Sequence, residues 1–394
     1  MLKDCEVFKK RMKTIKEPLF AKLISTKNLE QAFYFATQHK MKRAKVKKAY
    51  AHKDQIIYKM QKLLKEKKLK LPLHKGIDIN DGISAKARII VKPPFVYDLI
   101  LQWAVILVMK PYFEKGMYEW SCGSVKNRGG VYGKRYLARY IKENPKKIKY
   151  CAKGDIYHFF QSIPIEKFKQ DLDKKFRDKE FLEVVNMILD CNVIEYHGEL
   201  IDIGLPIGFF TSQHFANWYL QEFDHFVKEQ LHIKCYVRYV DDFVLLSSNK
   251  KELRKSLKVI SNYLETIGLK LKGNYQVFRF IYTDKNGKEH GRFIDFMGYR
   301  FYRDKVILRR KLFFKMMRKF KTVSKLKIID IHSARQVTCY MGYIKHTNSY
   351  RLFNERIKPL VNIGACKKIV SNYDKRKDKQ NAKMENSREL RSTT

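Results

Sequence analysis

Acidic residues are the scarce class in this chain. Its 394 residues hold 40 Asp and Glu against 83 Lys and Arg, a formal net charge of +43 at neutral pH. A surplus of that size exceeds what solubility requires and points to a polyanionic partner, nucleic acid first. The charge is spread along the whole chain rather than on one amphipathic helix, which argues against a lipid surface as the partner. Cysteines do not form a framework: the seven of them are scattered without a CxxC pair. The odd count excludes a complete disulfide set, and the spacing argues against zinc. The opening Met-Leu-Lys-Asp-Cys-Glu lacks the apolar stretch of a secretory leader, and no run is expected to approach a membrane span. The expectation is a cytoplasmic protein with no membrane partner. Internal repeats are also missing. What remains is ordinary: 45% hydrophobic residues, and length enough for two or three domains with a sizeable core.

Residues 40–75 carry fourteen Lys/Arg and two acidic residues, with Ile56, Ile57, Leu63 and Leu64 interleaved. This predicts a basic amphipathic helix over roughly 53–68, either a solvated face or, given the missing acidic partners, a phosphate contact. Ala-Arg-Ile-Ile-Val reads as a strand, broken by Pro93-Pro94 and followed by an apolar helix Val96–Met109. Residues 147–156 alternate, with Ile148, Tyr150 and Ala152 on one face and Lys149, Cys151, Lys153 and Asp155 on the other. Pro164 opens a helix. Further helices are predicted over 211–231 and 251–267, the second stopped by Gly268. A hairpin is expected over 296–310, helix from 311 to about 365, and disorder towards the C-terminus.

The chemistry is written in three segments. In Tyr239-Val240-Asp241-Asp242, two adjacent carboxylates interrupt an apolar strand pattern, which is costly unless a metal or partner neutralises them. Asp155 ends an upstream strand within Lys153-Gly-Asp155-Ile-Tyr-His-Phe-Phe160. Between them lies Leu205-Pro-Ile207-Gly208-Phe-Phe-Thr-Ser212-Gln213. Carboxylates on neighbouring strands suit hard Mg²⁺, and nucleotidyl transfer uses two such ions about 3.5–4 Å apart. Two strands, intervening helices and a carboxylate hairpin suggest an α+β fold with an antiparallel sheet.

In these segments the chain resembles reverse transcriptases, over about residues 80–350. The Asp155 segment is similar to their motif A, Gly208-x-x-x-Ser212 to motif B and Tyr-Val-Asp-Asp to motif C. Gly268-Leu-Lys-Leu-Lys272 resembles motif D, and Phe296-Met297-Gly298-Tyr299 the primer grip. The resemblance implies a right-hand polymerase fold with fingers, palm and helical thumb. It divides the chain into a basic N-terminal helical extension (1–80), fingers and palm (81–305), thumb (306–370) and a disordered basic tail (371–394). It also implies that Asp155 and Asp241 bind two Mg²⁺, with Mn²⁺ as a substitute, helped by Asp242 and the backbone of Ile156. Phe160 falls where the family places the steric gate against a ribose 2′-hydroxyl; plain core packing is the alternative. Arg88, Lys126 and Arg128 are candidates for gripping the triphosphate. Phe160, Ile207, Gly208 and Gln213 would line the dNTP site, and Lys270 or Lys272 would protonate pyrophosphate.

Motif B here begins Ile207-Gly208, where most bacterial enzymes of this class carry Gln-Gly. That version is similar to the reverse transcriptases of diversity-generating retroelements, as are Phe215-Ala-Asn217 and Ser121-Cys122…Lys126-Asn-Arg-Gly129. The resemblance implies copying of a template-repeat RNA into cDNA, from primer and dNTPs, with errors at adenines, in a bacterial or phage-infected cell. It also implies a small basic accessory variability protein. Two departures stand out: Val240 where relatives have Met or Ala, and Asp98-Leu99 where many have Asp-Arg. About 95 residues follow the primer-grip segment, too few for a thumb plus RNase H, and no Cys/His cluster suggests an HNH nuclease. An antiphage-defence or retron-type enzyme is the alternative. A polymerase fold serving only as an RNA-binding scaffold is a third reading, which the three aspartates oppose.

Overall fold

The apolar runs on either side of Val240 fold into adjacent antiparallel strands that are buried on both faces. In a computed structural model, which describes residues 14–80 and 87–376, the chain forms an α+β fold of two compact units. Among the described residues, the first comprises 14–80, 87–129 and 149–278; the second comprises 130–148 and 279–376. The boundary differs from the expected break at 305, and the helix Gly130–Glu143 groups with the C-terminal half. The helical N-terminal region stops at β1, so the extension expected over 1–80 is not helical throughout.

In the first unit the strands are β1 (His74–Asn80), β2 (Ala87–Val91), β3 (Tyr150–Asp155), β4 (Val193–Tyr196), β5 (Glu199–Asp202), β6 (Cys235–Tyr239), β7 (Asp242–Ser247) and β8 (Gln276–Arg279). They form two sheets, β2-β1-β4-β5 and β6-β7-β3-β8. In the second sheet β7 pairs antiparallel with both neighbours, β6 and β3. Helix Lys250–Thr266 packs on β3 and β7, burying Leu253, Leu257, Ile260 and Leu264 at helical spacing. It ends where Gly268 adopts φ +77°, as the sequence predicts. The basic helix also forms, as Lys53–Lys65: Ile57, Met60 and Leu64 are buried while Lys59, Lys62 and Lys65 are exposed.

Three expectations need correction. The apolar helix begins at Ile100, not Val96, and continues through Pro111 to Lys115. Pro93 and Pro94 favour extended backbone, and Val96 (ψ 132°) and Tyr97 (φ +67°) break the helical path before it starts. The helix expected over 211–231 is interrupted at Leu220 into Phe210–Tyr219 and Gln221–His225, followed by a π-turn. No Gly or Pro marks that break. Finally, Phe95–Lys115 is, by length and composition, apolar enough to cross a membrane, with mean hydropathy 1.3. Half of that stretch is buried in protein, where it packs on helices Thr26–Thr37 and Phe210–Tyr219.

The second unit holds a short hairpin, β9 (Tyr282–Thr283) and β10 (Glu289–His290). It also holds a meander, β11 (Ile294–Phe296), β12 (Tyr299–Phe301) and β13 (Val306–Leu308). The expected hairpin over 296–310 therefore has a third strand. Arg303 ties 130–148 to this unit, donating to the carbonyls of Pro145, Ile148 and Ile281. Helices Arg310–Ser324 and Ile331–Ile344 follow. Residues 363–376 are helical, past residue 371 where disorder was expected; 377–394 lie outside the described residues.

Candidate active site

Register brings the carboxylates together. β3 and β7 pair so that Asp155 lies directly opposite Asp242, and Asp241 sits in the connection between β6 and β7. The Ile156 N–H donates to the Asp241 carbonyl at 3.3 Å, fastening the end of β3 to that turn. Val240 takes φ +60°, a left-handed conformation that a β-branched residue adopts only under constraint.

The constraint is a buried charge network behind the turn. Arg238 donates from Nη1 to the Val240 carbonyl at 2.7 Å. Its Nε and Nη2 form a fork on Asp224, at 2.7 and 2.6 Å. The guanidinium also reaches Ser121 and Asn217, and the Tyr236 hydroxyl donates to Asp224. Arg238 and Asp224 are both fully buried, so each charge is tolerated only because the other is present. Asn217 in turn donates to the Gly123 carbonyl at 2.7 Å, clamping the 121–123 segment beside β6. The sequence reading missed this network. Arg238 inside an otherwise apolar strand was its visible signal.

Burial and carboxylate crowding dominate the electrostatics of the site. Burial, and then the Asp155 carboxylate, push the Asp241 carboxyl up to about 7. Asp155 Oδ2 accepts from Lys272 Nζ at 3.0 Å, and hydrogen bonding to Asp155 raises the Lys272 pKa. Asp155 Oδ1 is buried with no hydrogen-bond partner. Lys153 Nζ lies 3.9 Å from Asp242. Among the described residues no three metal-ligating side chains are already gathered as a cage. An orphaned buried oxygen beside a carboxyl that resists ionisation nevertheless fits a divalent cation, which would satisfy the first and relieve the second.

A cleft of about 440 Å³ opens in front of these groups. Asp155, Ile156, Asp241 and Lys272 line it, together with Phe160, Ile207 and Arg88. Phe160 is half-buried, and its carbonyl accepts from the Leu205 N–H at 2.8 Å, joining the Asp155 segment to the Ile207 loop. Gly208 has φ +112°, and a Cβ there would stand 2.1 Å from the Val91 carbonyl oxygen. It lets the loop approach β2 rather than lining the cleft itself. Asp78 and Tyr196, which the sequence reading did not single out, also line the cleft, the Tyr196 hydroxyl donating to Asp78.

Several expected site residues are elsewhere. Lys126 is exposed and Arg128 donates to the Tyr118 carbonyl at 2.8 Å; neither lines the cleft. Their segment is held at the β6 edge by the Cys122 N–H bond to the Arg238 carbonyl. Gln213 is exposed on its helix, outside the cleft lining. Of the two lysines, only Lys272 lines the cleft; Lys270 is exposed and bonds Tyr157 through its backbone carbonyl. In the second unit, Phe296 and Tyr299 are fully buried and flank a tight turn in which Met297 (φ +52°) and Gly298 (φ +86°) are the accessible residues.

Comparison with known proteins finds similar chains. The retron Ec73 reverse transcriptase of Escherichia coli is 28% identical over 212 residues, covering 49% of this chain and 59% of that protein. An uncharacterized 91 kDa protein in the cob intron of Schizosaccharomyces pombe is 32% identical over 91 residues, 23% of this chain and 11% of that protein. The chain thus spans less than two thirds of either relative's length. Residues 78–300, more than half of the chain, match the family described as reverse transcriptase (RNA-dependent DNA polymerase). The chain belongs to the reverse transcriptase family.

Proposed function

We propose that this protein is an RNA-directed DNA polymerase that extends a primer on an RNA template with dNTPs. The observation that carries the reading is the convergence of Asp155, Asp241, Phe160 and Ile207 on one cleft, with Asp242 opposite Asp155 in the strand register. Mg²⁺ suits this all-oxygen donor set; Asp155 and Asp241 would hold it, assisted by Asp242 and the Ile156 backbone. When bound, such ions lower the pKa of the primer 3′-hydroxyl and neutralise the leaving pyrophosphate.

The chain's own side chains do the rest. Phe160 stands in the cleft as a steric gate against a 2′-hydroxyl. Arg88 offers a bidentate fork to a triphosphate. Lys272, protonated and next to Asp155, is the candidate proton source for pyrophosphate. The basic helices of the N-terminal region and the lysine-rich Arg310–Ser324 helix, read as a thumb, suit the backbone of a primer–template hybrid, gripped without regard to sequence.

Within that activity, we read the product as cDNA of a template repeat, carrying errors opposite adenines, for diversification of a target gene with a small basic accessory protein. Ile207 supports it: an apolar side chain lines the cleft where a glutamine would hydrogen-bond the nascent pair. A retron-type enzyme is the second reading, supported by the similarity to a retron reverse transcriptase. Sequencing cDNA made on a defined heteropolymeric RNA separates them. Errors concentrated opposite adenines, reduced by Ile207→Gln, support the diversifier. Accurate cDNA, unchanged by that substitution, supports the retron reading.

A further inference from the structure

The helix that follows Ile207-Gly208 starts without a cap of its own. Phe209 precedes Phe210–Tyr219, and its side chain can accept nothing from the exposed N–H groups of the first turn. The missing acceptor comes from another helix: the Phe210 N–H donates to Gln102 Oε1 at 2.7 Å. Gln102 is wholly buried and is held in turn, its Nε2 donating to Asp98 Oδ1 at 2.8 Å. The other oxygen of Asp98 meets His74 Nε2 at 2.6 Å, and both residues are almost completely buried. His74 begins β1, and its ring packs edge-on against Phe209, centroids 4.9 Å apart. Trp103, next to Gln102, stacks on Phe210 at 3.6 Å.

The loop so held is the one that presents Ile207 to the cleft. Its other ties run to the Asp155 segment, through the Leu205 N–H to the Phe160 carbonyl at 2.8 Å, to β2, through the Val91 N–H to the Ile207 carbonyl at 2.8 Å, and within itself, through Ser212 Oγ to the Pro206 carbonyl at 2.7 Å. β1, the turn at Asp98 and helix Ile100–Lys115, all far upstream of the loop, are thus linked in series to one N–H immediately after it. An unpaired carboxylate or amide is expensive at such depth, so the chain of bonds has one arrangement to adopt.

We propose that Gln102, held by the Asp98–His74 pair, is a positioning residue for nucleotide selection: it caps the Phe210–Tyr219 helix and thereby sets where Ile207 stands in the cleft. The proposal rests on the polymerase reading above. It gives Asp98 a role of its own beside Leu99, which stands where many relatives carry an arginine: the carboxylate holds Gln102.

The test is steady-state primer extension on an RNA template by the full chain, with correct and incorrect dNTPs, comparing wild type, Gln102→Met, Ile207→Gln and the double variant. Gln102→Met keeps the side-chain volume and removes both polar bonds. The expected result is a KM for the correct dNTP raised about tenfold with kcat little changed, and a changed correct-to-incorrect ratio. The double variant should be non-additive in that ratio, because both substitutions act through one loop. An unchanged KM and ratio in a variant that merely melts at lower temperature overturns the proposal, as does strict additivity. If Gln102→Met does not fold, Asp98→Asn, which still accepts from Gln102 but loses the carboxylate that faces His74, must change the same ratio relative to wild type; no change overturns it. A wild type that makes no cDNA fails the polymerase reading itself, and the role of Gln102 falls with it.

Discussion

At the scale of single residues, Asp241 has the most unusual environment. Its carboxyl is pushed up to about 7 by burial and by Asp155, whereas in an unfolded chain it titrates near 4. The folded protein therefore keeps a proton that the unfolded chain has already lost between those values. Metal-free stability from this group is full below about pH 4 and declines as pH rises towards 7. Thermal melts in chelator should show a midpoint that falls between pH 5 and 7 in wild type relative to Asp241→Asn; parallel profiles would contradict the assignment. Arg238 makes a second residue-scale prediction. Arg238→Gln leaves Asp224 buried without its cation and releases Val240, at a cost on the order of 3–5 kcal/mol in urea unfolding. Phe160→Ala should admit ribonucleotides, raising rNTP incorporation relative to dNTP by about tenfold; an unchanged ratio would return Phe160 to a packing role.

At the scale of elements, strands and helices with strict periodicity were legible, and their interruptions were not. β6, β7 and the helix Lys250–Thr266 lie where apolar spacing puts them, because each buries its side chains locally. The late start at Ile100 depends on the left-handed Tyr97, and the break at Leu220 has no breaker residue, so neither is written in the local pattern. Site residues divide in the same way. Asp155, Asp241, Phe160 and Ile207 sit next to their motif's strand or loop and reach the cleft. Lys126, Arg128 and Gln213 depended on where a segment goes in three dimensions, and a hydrogen bond to the β6 edge takes the first two elsewhere. Gln102 and Asp224 were invisible for that reason too, since Phe210 and Arg238, which they hold, are 108 and 14 positions away along the chain. Gly208→Ala tests the loop itself. A Cβ 2.1 Å from the Val91 oxygen, on a residue with φ +112°, should cost more than about 2 kcal/mol and displace Ile207 with it.

At the scale of the whole molecule, the dominant quantity is charge. Lys47, Lys48, Lys59 and Lys65 are exposed on two consecutive helices of the N-terminal region, and among the described residues none of them sits in an ion pair. Nucleic-acid affinity should therefore fall steeply with salt as counterions are released. Replacing these four lysines with glutamine should reduce the slope of log K against log salt by about 0.7–0.9 for each phosphate that is no longer neutralised, measured by filter binding of an RNA–DNA hybrid. An unchanged slope would assign those helices to solvation alone.

The central claim is that Asp155, Asp241 and Asp242 together carry DNA synthesis on RNA. Single-turnover extension of a DNA primer on an RNA template, with dNTPs and Mg²⁺, tests it most directly when wild type is compared with Asp155→Asn and with Asp241→Asn in protein shown to be folded and to bind the hybrid. The account predicts template-dependent cDNA from wild type, and a loss of at least about a thousandfold in rate for each variant with hybrid affinity retained. Full-rate synthesis by either variant, or none by the wild type, would contradict it.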